Sequence, residues 1–335
     1  MNWQKILKVG KHIGITLLGL IILFIIILNI SPKPVSYFIR SQFEKGISTK
    51  PDNYNQYESK VNKISELTYP SKYKDNKLDL YLPKDGNNHP IIIWVHGGAF
   101  VGGDKVDVQY YATILASHGY AVLSANYERA PELRYPNQLH QLEDIYSYLL
   151  EVDADYSLDT SNLILAGDSA GAHLVAQFTL IQTAKEYADE MNFKQIIPAD
   201  NIKANILYCG PFNVEKINNT KSLLARFFFS QSAWAYFGSR NWEDKYGDIA
   251  TIKNHVTSNY PPTFISDGNS MSFEEHSREL AETLKEKNIN VKTFFISKEI
   301  ETSHEYQFKL DTKIAMDSIE ETIKFLNSLD YNQTP

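Results

Sequence analysis

The stretch Asn162-Leu-Ile-Leu-Ala-Gly-Asp-Ser-Ala-Gly171 constrains this chain more than any other. A short apolar run of strand character ends in a Gly-Asp-Ser-Ala-Gly turn, and an apolar helix pattern from Ala172 to Ala184 follows at once. A serine on so sharp a strand-to-helix turn needs glycine two positions away on each side, because side chains there would clash. The turn exposes the hydroxyl and sets the Ala170 N–H at a helix N-terminus, where a developing oxyanion is favoured. The G-x-S-x-G pattern alone recurs by chance. The strand before it and the helix after it single out Ser169 as a candidate nucleophile.

Strand and helix patterns alternate through most of the chain. Leu78 to Leu82 alternates with period two, and Ile91 to Val95 is continuously apolar. Further short strands are expected at 120–125, 163–166, 204–209, 263–266 and 291–296. Continuous apolar strands are buried on both faces, as in a parallel sheet. Leu139, Leu142, Tyr146 and Leu149 share one helix face, as do Ile319, Ile323 and Leu326. The pattern predicts a mainly parallel α/β sheet with helices on both sides. An aromatic-rich stretch at 213–258, with Phe227, Phe228, Phe229, Trp234, Tyr236, Phe237 and Trp242, interrupts it. It reads either as a lid over a pocket or as helices packing their own core.

Composition adds exclusions. Of 335 residues, 43% are hydrophobic and 22% charged, as in an ordinary globular protein. A folded part of roughly 300 residues buries about three quarters of its unfolded surface and needs no disulfide or structural metal. The formal net charge of −7 argues against a protein that reads nucleic-acid phosphates. One cysteine, Cys209, excludes an internal disulfide and a four-cysteine zinc site. No H-E-x-x-H or clustered ligand pattern suggests metal hydrolysis.

Ile13 to Ile30 is an apolar run interrupted by Gly14, Thr16, Gly19 and Asn29, preceded by Lys5, Lys8 and Lys11 and stopped by Pro32 and Pro34. About 18 residues nearly cross a hydrocarbon core of roughly 30 Å. The run exceeds a usual signal-peptide core and no Ala-x-Ala-like site follows, so an uncleaved signal anchor is expected rather than a cleaved peptide. The lysine bias places the N-terminus in the cytoplasm and the body of the protein outside it. The expected layout is a cytoplasmic tail at 1–12, a single membrane span at 13–30, a tether with a short helix at 31–64, and a catalytic domain at 65–332. Within the tether, Phe38, Ile39 and Phe43 form the apolar patch.

His96-Gly-Gly-Ala-Phe100 follows the strand ending at Val95, with Gly102-Gly103 just beyond. Small residues after a buried strand let backbone N–H groups face a cavity. Neither Gly-Lys-Ser/Thr nor a helix-opening G-x-G-x-x-G accompanies them, so a phosphate loop is not expected. His96 lies beside this loop and reads as structural.

Together, His96-Gly-Gly-Ala-Phe100 and Gly167-Asp-Ser-Ala-Gly171 resemble the hormone-sensitive-lipase-like branch of α/β-hydrolase esterases. Leu78-Asp-Leu-Tyr-Leu-Pro83, Tyr127-Glu-Arg-Ala-Pro-Glu132, Tyr135-Pro136 and Leu142-Glu-Asp144 match that branch as well. The resemblance covers about residues 65–330. It implies an α/β-hydrolase fold with an eight-stranded sheet, carboxylic-ester hydrolysis and no cofactor. It also implies an oxyanion hole from the N–H groups of Gly98, Ala99 and Ala170, with Ala99 where the family usually has glycine.

A serine nucleophile needs a base, and the base needs an orienting carboxylate. In this fold the chain order is Ser, acid, His. Of the histidines after Ser169, His173, His255 and His276 fall on helices or in the insert. His304 follows the last expected strand and precedes the terminal helix, and His304-Glu-Tyr-Gln-Phe resembles the family's base segment. For the acid, the resemblance puts Asp three residues after a strand-end glycine, and Met271 stands there. Asp267 is the nearest substitute, Glu274 the second, and a weakened or missing acid the third possibility.

The expected function is a membrane-anchored serine esterase acting on an apolar acyl or aryl ester, or on acetyl groups carried by a polysaccharide. A catalytically silent envelope-interaction protein on the same fold is the alternative, supported by Met271, and a serine peptidase stands behind it.

Overall fold

The computed structural model describes residues 3–43, 46–220 and 222–331. The first two residues of the expected tail, the side chain of Lys5, and residue 332 at the expected end of the catalytic domain lie outside the described residues. The chain opens with two helices, α1 (Trp3–Ile30) and α2 (Lys33–Phe43), and a single turn, α3 (Asn55–Glu58). Strands β1 (Val61–Thr68), β2 (Lys77–Pro83) and β3 (His89–Val95) follow, then α4 (Gln109–Ser117), β4 (Ala121–Ala125), α5 (Asn137–Tyr156) and β5 (Leu158–Asp168). Next come α6 (Ala170–Thr183), α7 (Lys185–Met191), β6 (Ile202–Tyr208), α8 (Leu223–Phe237) and α9 (Trp242–Ala250). The chain closes with β7 (Thr263–Asp267), α10 (Glu274–Glu286), β8 (Val291–Phe295) and α11 (Lys313–Asn327).

The eight strands form one sheet in the order β1-β2-β4-β3-β5-β6-β7-β8. β1 pairs with β2 and β2 with β4 antiparallel, and every other pairing is parallel. This is the α/β-hydrolase arrangement. The strand missing from the sequence reading is β1, which begins at Val61 inside the stretch read as tether. Its burial is mostly on the exposed side, as befits an edge, so no apolar run announced it.

Both faces of the central strands are covered, which is why Ile91–Val95 and Leu163–Ala166 are apolar throughout. Ile91, Ile93, Val95, Leu163 and Leu165 pack with α5 and α6 on one face. Ile92, Trp94, Ile164 and Ala166 pack with α4 and α11 on the other. Each fully buried Leu or Ile contributes about 1.5–3 kcal/mol. β4 follows β3 on one side and β5 lies on the other, so the chain reverses its winding at β3. Crevices beyond the carboxyl ends of strands at such a reversal are where α/β sheets hold ligands.

Candidate active site

Ser169 leaves the end of β5 with φ 49° and ψ −118°, a conformation that L-residues rarely adopt. The flanking glycines make this turn possible. A Cβ on Gly171 would run into the carbonyl oxygens of Val95 and His96, and one on Gly167 would meet the Gly171 carbonyl carbon at 2.6 Å. The Ser169 N–H donates to the Tyr208 carbonyl (2.7 Å), tying the elbow to β6.

The loop after β3 runs through positive φ at Gly98 (106°), Ala99 (54°) and Phe100 (64°). Among the described residues the Gly98 and Ala99 N–H groups donate to no backbone acceptor. Ala170 begins α6, where the first N–H groups lack intrahelical acceptors. Ala99 and Ala170 line the same cavity as Ser169 and His304. His96 is buried and stacked on Tyr127 (centroids 4.6 Å apart), with Nδ1 2.7 Å from the Gly97 carbonyl.

His304 sits in the loop between β8 and α11, with Nε2 2.9 Å from Ser169 Oγ. Desolvation lowers its pKa from 6.5 to about 4, a pull tempered where 28% of the side chain faces the cavity's solvent. The other downstream histidines are occupied elsewhere. His173 Nε2 donates to the Ala250 carbonyl (2.9 Å), His255 Nε2 donates to the Asp248 carbonyl (3.0 Å), and the Asn213 N–H donates to His276 Nδ1 (3.3 Å).

Asp267 stands at the end of β7, yet its carboxylate does not touch His304 directly. Ser272 lies between them: its Oγ is 2.8 Å from His304 Nδ1 and donates to Asp267 Oδ1. Ser277 Oγ donates to the other oxygen, Oδ2, at 2.6 Å. A hydroxyl has one proton. When Ser272 gives it to Asp267, it accepts from His304, which therefore carries its proton on Nδ1 and leaves Nε2 bare toward Ser169. Burial raises the Asp267 pKa to about 7, against the pull of the two serine hydroxyls.

Glu274 is directed elsewhere, its Oε1 accepting from Arg278 at 2.6 Å. Met271 is 83% exposed at φ 50°. The sequence reading missed Ser272, because a serine beside the expected acid position carries no signal until the backbone places it.

Two further carboxyls escaped the sequence reading. Asp168, inside the G-x-S-x-G turn, is buried and accepts from Trp94 Nε1 (2.7 Å) and the Gly97 N–H (2.8 Å), which ties the loop after β3 to the end of β5. Glu305, next to the base, meets it in the interior and lies 3.7 Å from His304 Nε2 through Oε1. Burial pushes both pKa values up, Asp168 to about 7, and Glu305 well above the usual carboxylate range, with the adjoining Asp168 charge adding to the rise. The pair thus keeps a proton that the unfolded chain surrenders in the ordinary carboxylate range. Its contribution to stability is full at low pH and declines as pH rises through the raised range. Glu305→Gln is expected to flatten this decline between pH 5 and about 7, read from urea unfolding midpoints across pH. An unchanged slope would place the proton elsewhere.

Cys209 Sγ, an Asp267 oxygen and a His304 nitrogen lie within 4.8 Å of one another, a spacing that could admit a metal ion. Each is already engaged: both ring nitrogens by serines, Asp267 by two hydroxyls, and the Cys209 thiol toward Gln307 Oε1 (3.4 Å). Burial drives the Cys209 pKa well up, which keeps the thiol protonated and a poor ligand.

The cavity over Ser169 encloses about 330 Å³ and is walled by Phe38, Phe43, Phe228, Phe229 and Phe273. The aromatic insert both covers the site and packs its own core, with Tyr236, Phe237 and Trp242 buried beneath.

Comparison with known proteins places these features among relatives. Residues 78–284 match the profile of the BD-FAE family. The chain is 32% identical over 143 residues to a probable isoprenylcysteine α-carbonyl methylesterase of Oryza sativa subsp. japonica, covering 42% of this chain and 34% of that protein. It is 26% identical over 223 residues to the acetyl esterase of Salmonella schwarzengrund (strain CVM19633), covering 64% and 65%. To Esterase LipQ of Mycobacterium tuberculosis it is 26% identical over 211 residues, covering 61% and 48%. The chain therefore spans between a third and two thirds of these relatives' lengths. Among solved structures, esterase B from Lactobacillus rhamnosis (HN001) superposes with a TM-score of 0.72 at 19% identity, covering 89% of this chain and 94% of that one. A Pyrobaculum calidifontis esterase superposes at 0.66 with 18% identity, covering 88% and 93%. At such identity the likeness is one of fold.

Proposed function

The chain belongs to the BD-FAE family, within the hormone-sensitive-lipase-like branch of the α/β-hydrolases, and from that membership we propose that it is a membrane-anchored serine carboxylic-ester hydrolase. One observation carries the reading: Ser169 Oγ, on its strained elbow, lies 2.9 Å from His304 Nε2. That is the reach over which a base removes a proton from a nucleophile.

In this reading Ser169 attacks the ester carbonyl as His304 takes its proton. The Gly98, Ala99 and Ala170 N–H groups hold the oxyanion. His304 then protonates the leaving alcohol, and water, activated by the same base, releases the acid. Asp267 acts through Ser272, holding the imidazole in its Nδ1–H form and stabilising the imidazolium. The relatives named as esterases support the reaction class. Phenylalanine walls favour an apolar acyl group over a polysaccharide-borne acetyl. Met271, the feature that favoured a silent scaffold, faces solvent while Ser272 makes the contact.

The segment Leu7–Ile30 supports the anchor: 24 residues, none buried against the rest of the protein, or about 36 Å of helix against a hydrocarbon core of roughly 30 Å. Lys8 and Lys11 near its start support an N-terminus in the cytoplasm with the hydrolase body outside.

The test uses the full chain in detergent with a fluorophosphonate probe and p-nitrophenyl esters from acetate to laurate. We expect labelling at Ser169, located by peptide mapping, and turnover that improves beyond acetate. Neither labelling nor turnover would end the esterase reading.

A further inference from the structure

The membrane helix does not lead away from the catalytic domain on a loose tether; it ends beside the mouth of the active site. The last turn of α1 is held from the cap. Gln231 Nε2 donates to the Leu28 carbonyl (3.4 Å), and Arg240 donates to the Asn29 carbonyl (2.8 Å) and side-chain oxygen (3.3 Å). These donors satisfy carbonyls that a helix C-terminus leaves without partners, and a cation suits the negative end of the helix dipole.

After Ser31 the chain turns straight into α2, which is seated on the oxyanion loop. Arg40 Nε donates to the Val101 carbonyl (2.6 Å) and Nη2 to the Ala130 carbonyl (2.9 Å), and the same guanidinium pairs with Glu132 (2.7 Å). Phe38 and Phe43 of α2 wall the cavity. Ser31 and Pro32 alone separate the end of α1 from α2, so the cavity wall begins within a few residues of the bilayer.

The cap continues this surface. Phe38 stacks on Phe228 at 6.1 Å, and Phe228 meets Phe227 at 5.6 Å. One turn earlier on α8, Leu223 and Leu224 lie on the same faces as Phe227 and Phe228. They are 78% and 65% exposed, and Phe38 is 55% exposed. Going the other way, Gln231, which touches α1, is four residues from Phe227. The exposed apolar patch is therefore continuous with the membrane helix at one end and with the catalytic cavity at the other. The charged residues of the two helices that carry it are all basic, Lys33 and Arg40 on α2 and Arg226 on α8, and Arg240 lies 5.0 Å over the Trp234 ring. Basic residues and aromatic rings beside an apolar surface are what the headgroup boundary accommodates.

We propose that the patch formed by Leu223, Leu224, Phe227 and Phe38 rests in the outer face of the bilayer that α1 spans, and that the cavity opens onto the lipid and takes acyl esters dissolved in the membrane. This inference rests on the membrane-anchored esterase reading. The occupant is lipid rather than a protein partner, because α1 brings the bilayer to the rim of the patch and the flanking charges are basic.

The experiment uses the full chain in nanodiscs of phosphatidylcholine and phosphatidylglycerol with two fluorogenic substrates sharing one leaving group. 4-Methylumbelliferyl oleate partitions into the bilayer, and the acetate reaches the site from water. Leu223→Glu combined with Leu224→Glu is expected to cut oleate turnover by about tenfold or more, since two leucines lose their apolar contact, while acetate turnover stays within about twofold. A bimane placed on Leu223→Cys, with Cys209 buried, is expected to be quenched by nitroxide-labelled lipid. Equal losses on both esters, or unchanged oleate turnover, overturns the proposal, as does a bimane that lipid nitroxides do not reach. Wild-type protein silent on both esters removes the esterase reading and this inference with it, whereas acetate turnover without oleate turnover removes the inference alone.

Discussion

Ser169→Ala is expected to lower kcat by about 10⁴–10⁶-fold and to abolish fluorophosphonate labelling. The residual rate is expected from the proposed oxyanion donors, the Gly98, Ala99 and Ala170 N–H groups, which the substitution leaves in place. The fold should be indifferent to the change. The hydroxyl's recorded contact is with His304, and alanine meets the same strain at φ 49° that serine does. Thermal unfolding within a few degrees of wild type, beside the lost turnover, assigns the effect to chemistry. An alanine variant that kept more than a tenth of the wild-type rate would show that another group is the nucleophile.

The second large effect concerns the acid. Asp267→Asn is expected to cost about 10²–10⁴-fold in kcat/KM, and Ser272→Ala about 10–10³-fold. The order follows from proton direction. An amide at position 267 that turns its NH2 to Ser272 donates there, so Ser272 donates to His304 Nδ1 and drives the ring proton to Nε2, the wrong tautomer for a base. Alanine at 272 only removes the support. The double variant should be no worse than Asp267→Asn alone, because the two groups act on His304 in series. Additive losses would exclude a relay.

The same relay fixes the pH profile. A protonated Asp267 can donate to Ser272 and reverse the relay, whereas the carboxylate only accepts, and burial has raised its pKa to about 7. The imidazole, lowered to about 4, is already neutral there. We therefore expect kcat/KM to rise with pH through about 7 and then level, and expect this limb to vanish in Asp267→Asn. A wild-type profile flat from pH 6 to 9 would detach Asp267 from the chemistry.

Much of this was legible in the chain. The alternation of apolar runs and helical stripes specifies a parallel sheet covered on both faces, because backbone pairing and burial leave no other use for strands as apolar as Ile91–Val95. Gly167, Ser169 and Gly171 specify the elbow, since two nearby backbones exclude any Cβ there. These are local demands, written in contiguous residues. The edge strand β1 was illegible for the converse reason, as an edge facing solvent needs no apolar pattern.

The acid arrangement was not local. Asp267, Ser272 and His304 come from the end of one strand, the turn after it and a loop beyond the next, and their hydrogen bonds exist only once β7 and β8 pair. Sequence alone put Asp267 first and Glu274 second; the Arg278 contact that diverts Glu274 and the hydroxyl that bridges to His304 are products of packing. The meeting of Asp168 with Glu305 has the same origin, because residues far apart in sequence become neighbours only where the sheet gathers its carboxyl ends. What the sequence determined by itself is the sheet, the elbow that carries Ser169 and a helix long and apolar enough to cross a bilayer. What only the tertiary structure decided is how the base is held and where that helix ends relative to the cavity, since both depend on contacts between segments that no periodicity connects.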